Sequence, residues 1–226
     1  MKKLFEKYEI KIKEEQLEKF EKYYKILVDY NKKVNLTAIT EKEEVYIKHF
    51  IDSGKVVDKL DSYSLLDVGS GGGFPAIPIK ILKDDIKITM LEATGKKCDF
   101  LSYVIKELEL KDIEVVNGRA EELAKLDKYR EKFDICTARA VARLNVLCEY
   151  CMPFVKVGGK FISLKGDAEE EINEAKNAIN ILGGIVDNVN NFLLEDAKRT
   201  IIEIKKIKNT PIKYPRGQGK ERKKPL

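Results

Sequence analysis

Leu65-Leu66-Asp67-Val68-Gly69-Ser70-Gly71-Gly72-Gly73-Phe74-Pro75 is the stretch from which the fold is read. A short apolar run of strand character ends in four glycines among five residues, then in a proline, a residue favoured at the first position of a helix. Glycine lets the backbone take positive φ and lets a ligand approach without meeting a Cβ. After the first strand of an open α/β sheet, such a turn forms a ligand crevice at the carboxyl edge. The dinucleotide fingerprint needs a small residue where Phe74 stands, so that reading fails. The phosphate loop of nucleotide hydrolases needs Gly-Lys-Ser/Thr at its end, which is absent. What remains is acidic-x-Gly-x-Gly-x-Gly from Asp67 to Gly73.

Outward from this turn the chain alternates apolar runs with helical patterns. The runs are Leu65 to Val68, Ile86 to Leu91, Ile113 to Val116, Phe133 to Ala138, Lys160 to Leu164, Gly184 to Asn191 and Arg199 to Lys205. Helical patterns follow each of the first five, notably Lys96 to Leu108 and Ala168 to Leu182. Repeated β-α units predict a seven-stranded, mostly parallel sheet with helices on both faces. The last two runs lack an intervening helix and form a hairpin, adding an antiparallel edge. Before the sheet, Leu17, Phe20, Tyr24, Leu27, Val28 and Val34 follow helical spacing. A second short helix is expected from Glu41 into Ile51, with Thr40 as N-cap and Glu43 as capping-box partner. The division is therefore a helical extension (1–60), an α/β domain (61–208) and a basic tail (209–226). The tail's prolines and glycines exclude regular structure there.

Composition narrows the setting. At 226 residues and 43% hydrophobic content the chain can bury a full core. No apolar run approaches the roughly 20 residues of a membrane span, and Met1 to Gln16 lacks the apolar core of a secretory signal, so a cytoplasmic protein without membrane contact is expected. Cys98, Cys136, Cys148 and Cys151 fall in helix or strand segments, as reduced core cysteines do. The net charge of +5 is uneven: residues 205–226 hold nine Lys/Arg against one acid, and residues 1–33 ten against seven. A basic strip on an acidic body suits a polyanionic partner, although a disordered solubilising tail has the same composition.

The Asp67–Gly73 turn resembles motif I of Rossmann-like class I S-adenosylmethionine methyltransferases, whose loop lies against the methionine portion of the cofactor. Asp67, Gly69, Ser70, Gly71, Gly73 and Phe74 are the expected contacts. Glu92 ends the next strand, where an acid accepts hydrogen bonds from ribose hydroxyls. The turn Asn117-Gly118-Arg119-Ala120-Glu121 would border the adenine, through Ala120 and Glu121. Over the chain from Asn35 to the end, the sequence resembles the small-subunit ribosomal RNA guanine-N7 methyltransferase family, also called glucose-inhibited division protein B. The resemblance rests on Val34 to Ile39, His49-Phe50-Ile51-Asp52-Ser53, Asp67 to Pro78, Lys96-Lys97 with Phe100-Leu101, Gly118 to Glu121, Phe133-Asp134 leading to Ala138 through Ala142, Gly158-Gly159 leading to Lys165-Gly166, and Pro211 with Tyr214-Pro215-Arg216. Ala76, Glu92-Ala93 and Thr137-Ala138-Arg139, where serine more often precedes the arginine, depart from its usual residues without removing a needed group.

The resemblance implies methyl transfer to N7 of a guanine in the 530 loop of 16S rRNA, at position 527 of the usual rRNA numbering. The implied partner is 16S rRNA or the small subunit, and a monomer without metal is expected. Guanine N7 carries a free lone pair at neutral pH, so alignment and not a general base is the enzyme's task. Catalysis is placed on Arg139, at the end of the fourth strand, binding guanine O6, a neighbouring phosphate or the cofactor; occupying N7 itself would block the reaction. His49, the only histidine, is read as a structural or substrate-contacting residue. Asn35, His49, Arg143, Lys165, Arg199 and Arg216 are candidates for RNA contact. Cys148-x-x-Cys151 lacks a second ligand pair at zinc spacing. Two other functions remain open: methyl transfer to another substrate, and a non-catalytic ribosome-assembly factor that binds RNA.

Overall fold

A computed structural model describes residues 1–61, 64–139 and 141–226. Ser62, at the expected domain boundary, and Ala140, beside Arg139, lie outside these residues. Seven strands form one sheet: β1 Ser64–Val68, β2 Lys87–Glu92, β3 Ile113–Asn117, β4 Phe133–Arg139, β5 Val155–Lys165, β6 Gly184–Leu194 and β7 Ala197–Lys206. Their order is β3-β2-β1-β4-β5-β7-β6. β1 to β5 pair in parallel. β7 runs antiparallel to both β5 and β6. The β6–β7 hairpin thus forms the antiparallel edge expected from the sequence, with the one reversed strand, β7, inside and β6 outermost. Strand order reverses between β1 and β4, which opens the crevice at their carboxyl ends.

The helices are α1 Lys2–Lys7, α2 Glu14–Asn31, α3 Lys42–Val45, α4 Asp52–Gly54, α5 Ala76–Leu82, α6 Gly95–Glu107, α7 Ala120–Leu123, α8 Leu144–Cys151, α9 Glu169–Ile181 and α10 Lys220–Lys223. A π-helical turn, Tyr46–Ile51, joins α3 to α4. Successive strand side chains face opposite ways, and the core divides accordingly. Leu65, Ile88, Ile135 and Ile162 pack under α2, α5 and α6; Leu66, Leu91, Cys136 and Phe161 pack under α8 and α9. All four cysteines are buried.

Three boundaries differ from the sequence reading. Glu41, not Thr40, caps α3, because its carboxylate accepts the Glu44 N–H at 3.0 Å. A charged acceptor makes the stronger bond to an orphan amide. Pro75 occupies the N-cap of α5, one residue before the helix proper. The tail contains α10, whose Glu221 is fully buried, so burial overrides the glycines and prolines around it.

Candidate functional site

The crevice begins with Asp67 on β1. The residue is fully buried; Oδ1 accepts the Thr137 hydroxyl at 2.9 Å, and Oδ2 has no hydrogen-bond partner among the described residues. Burial pushes this carboxyl up to about 7, although the Ser70 and Thr137 hydroxyls and the Arg139 guanidinium pull in the other direction. The turn that follows is held from two sides. Glu92, at the end of β2, accepts the Gly71 N–H at 2.9 Å on one oxygen and the Thr94 N–H at 2.8 Å on the other. From beneath, the Tyr23 hydroxyl of α2 donates to the Gly72 carbonyl. Burial keeps that phenol far above its ordinary pKa, so it remains a donor.

The space above the turn is an open crevice of about 400 Å³. Gly69, Leu91, Ala93, Ala120, Glu121 and Val141 are among the residues lining it. The expected residues Gly69, Ala120 and Glu121 thus meet at one cavity, whereas Asp67, Ser70, Gly71, Gly73, Phe74, Glu92 and Arg139 are not among its lining residues. Tyr23 and Thr137 were missed by sequence reasoning. Tyr24 satisfies the same helical spacing as Tyr23, and nothing in the order of residues pairs Thr137 with an acid seventy positions earlier.

At the other end of the turn, side chains are stacked. The His49 ring lies on Phe74 with centroids 4.5 Å apart, and the Arg139 guanidinium stands over the same ring at 4.9 Å. Arg139 donates through Nη1 to the Lys48 carbonyl at 2.9 Å and to Asp52 at 3.0 Å, and through Nη2 to His49 Nδ1 at 3.1 Å. The Lys48 carbonyl belongs to the π-helical turn, whose widened backbone suits functional sites. His49 Nδ1 lies 3.1 Å from both the Arg139 Nη2 and the Lys48 carbonyl; the arginine contact is a hydrogen bond when Nδ1 accepts and Nε2 carries the hydrogen, directed to Thr37 Oγ1 at 2.7 Å. Burial and the neighbouring guanidinium push the imidazole down to about 3. Asn31 shapes the adjoining loop, accepting the Leu36 and Thr37 amides at 2.8 and 3.0 Å, and leaves Asn35 exposed.

The expected RNA contacts are dispersed. Arg199 joins the cluster through Asp52, at 3.3 Å. Arg143 pairs with Glu174 at 2.7 Å and is half-exposed. Lys165 is committed to Glu171 at 2.8 Å and to the Ala142 carbonyl. Arg216 forks onto the buried Glu149, with contacts of 2.9 and 2.7 Å. Lys165 and Arg216 thus both have internal partners. Among the described residues there is no group of three potential metal-binding side chains, and no helix long and apolar enough to cross a membrane.

A glycine turn at the carboxyl end of β1, on a sheet with one reversed strand, defines the Rossmann-like methyltransferase class. The fold is shared with a solved S-adenosylmethionine-dependent methyltransferase from Aquifex aeolicus, at TM-score 0.55 and 15% identity, covering 73% of this chain and 93% of that one. The family described as "GidB: rRNA small subunit methyltransferase G" matches residues 16–202, and the chain belongs to that family. Relatives named ribosomal RNA small subunit methyltransferase G include proteins from Acetivibrio thermocellus and Bacillus cytotoxicus. The first is 48% identical over 96% of this chain and 91% of its own length, the second 48% identical over 96% and 93%.

Proposed function

We propose that this chain transfers the methyl group of S-adenosylmethionine to N7 of a guanine in the 530 loop of 16S ribosomal RNA. The carrying observation is the crevice itself, which Gly69 of the glycine turn lines together with Ala120 and Glu121, while Gly71 of the same turn is tied to Glu92 and Phe74 at its end lies under the Arg139 guanidinium. Its residues suit that cofactor. Asp67 Oδ2 is a buried acceptor with no hydrogen-bond partner among the described residues, and Gly71 presents bare backbone with nothing closer than 3.8 Å to an added Cβ. Asp67, Gly69, Ser70, Gly71 and Gly73 would hold the methionine portion, Glu92 the ribose, and Ala120 with Glu121 the purine. Phe74 and Arg139 would border the reacting end. When bound, the cofactor supplies an electrophilic methyl on a sulfonium sulfur.

The protein's own part is alignment. No residue has to remove a proton from guanine N7, and His49, neutral and with both ring nitrogens engaged, is placed to orient Arg139. Of the five N–H groups of Arg139, three are used among the described residues. The Nε hydrogen and one on Nη2 would meet guanine O6 or a phosphate, leaving N7 bare.

The test is methylation of undermethylated small subunits and of naked 16S rRNA with labelled cofactor, followed by borohydride and aniline cleavage at N7-methylguanosine. A single cleavage in the 530 loop is expected. Label on another base or another atom, or on a small molecule only, would overturn the reading.

A further inference from the structure

The last eighteen residues fold back onto the body. Arg130 gathers the carbonyls of Thr210 and Tyr214 at 2.8 and 2.9 Å, and Arg216 forks onto Glu149. Gly217 and Gly219, at φ +79° and +74°, then reverse the chain into α10. Glu221 is the only acid among residues 205–226, and it is fully buried, with one oxygen accepting the Gly217 N–H. Its other oxygen is buried with no hydrogen-bond partner among the described residues. A carboxylate buried at that cost in so basic a segment fixes where α10 lies. The outcome is that Gly219 and Arg222 line the same crevice as Gly69, Ala93 and Ala120, with Tyr150 between the two walls. The Tyr150 hydroxyl lies beside Arg222.

We infer that Gly219 and Arg222 form the outer wall of the nucleoside end of the cofactor crevice, with Arg222 contacting the purine. The inference rests on the cofactor reading above. A planar guanidinium matches the face of a purine and attracts its π-system. Tyr150, on α8, lines the same crevice. Arg222 thereby becomes a cofactor contact, a role separate from RNA attraction.

The test is calorimetric titration of S-adenosylhomocysteine and of adenosine into four proteins: wild type, Arg222→Ala, a chain ending at Gln218, and Lys224→Ala, each checked by thermal unfolding. Lys224→Ala removes the same charge from an exposed position outside the crevice. Arg222→Ala is expected to weaken both ligands equally, by roughly three- to thirtyfold, since the contact is to their shared purine. The shortened chain should lose at least as much, and Lys224→Ala nothing. Wild-type affinity in a folded Arg222→Ala protein would overturn the proposal, as would an equal loss in Lys224→Ala, which would make the effect one of general charge. A wild-type protein that bound neither ligand would refute the cofactor reading itself, a result distinct from these.

Discussion

Gly71 and Gly73 both take positive φ, +56° and +91°, yet each is glycine for a different reason. A Cβ on Gly73 would fall 2.5 Å from Ile77 and 2.6 Å from the Tyr23 hydroxyl, whereas one on Gly71 would point into open space. Gly73→Ala should therefore lower the melting temperature sharply. Gly71→Ala should cost only about 1–2 kcal/mol of backbone strain while weakening S-adenosylhomocysteine binding. Thermal unfolding and calorimetry separate the two, and equal melting temperatures would contradict the assignment. Asp67 adds a pH signature. Its carboxyl moves from 3.8 to about 7 on folding, so it imposes no penalty below 3.8, a growing one as pH rises, and the whole of it above 7. Asp67→Asn should raise the melting temperature of the unliganded protein at pH 8 and leave it nearly unchanged at pH 4, with weaker cofactor binding throughout. A gain that is larger at pH 4 would place the desolvation elsewhere.

Among the elements, α2 does more than cover the sheet. Its Tyr23 stacks on Phe50 with ring centroids 5.1 Å apart and donates to the Gly72 carbonyl, so the helical extension buttresses the glycine turn. Tyr23→Phe keeps the ring and removes the donor. It should destabilise the protein by about 1–3 kcal/mol, the cost of an unsatisfied buried carbonyl, and should weaken cofactor binding. Faster amide exchange across residues 69–74 is the local readout; unchanged exchange there would show that α2 only packs. The helix itself was legible, since Leu17, Phe20, Tyr24 and Leu27 keep its period. The inward choice of Tyr23 over Tyr24 was not, because a 3.6-residue period admits both and the turn beneath the helix decides.

At the scale of the whole molecule, the positive charge of the C-terminal segment divides into two kinds. Arg216 and Lys206 are consumed by Glu149 and Glu131, while Lys208, Lys213 and Lys223 are exposed. Only the second kind can release counterions from RNA. Replacing Lys208, Lys213 and Lys223 by alanine should flatten the dependence of log affinity on log salt by about 0.7 to 0.9 for each phosphate that is no longer neutralised. Arg216→Ala should leave the slope unchanged. It should instead lower stability by about 2 kcal/mol, because the buried Glu149 loses the guanidinium and keeps only the backbone N–H of residue 216 from that position. Affinity for 16S rRNA fragments measured across a salt series decides the matter: a slope altered by Arg216→Ala would restore that residue to the RNA surface.

The order of residues by itself determined the sheet, its seven strands, the glycine turn and the acids at the ends of the first two strands. Each of these is a local matter, a period of two or 3.6 or a glycine where the backbone must turn. It also carried the family, through segments whose order and spacing are specific. Only the tertiary structure decided which charges are free. Arg139 meets Asp52 and His49, Arg216 meets Glu149, and Glu221 enters the core, through pairings that span up to 90 positions in the chain. The physical reason is that an ion pair needs proximity in space, which no local pattern records. A basic terminus therefore reads as one strip in sequence, and becomes in the fold a clamp, a crevice wall and an exposed remainder.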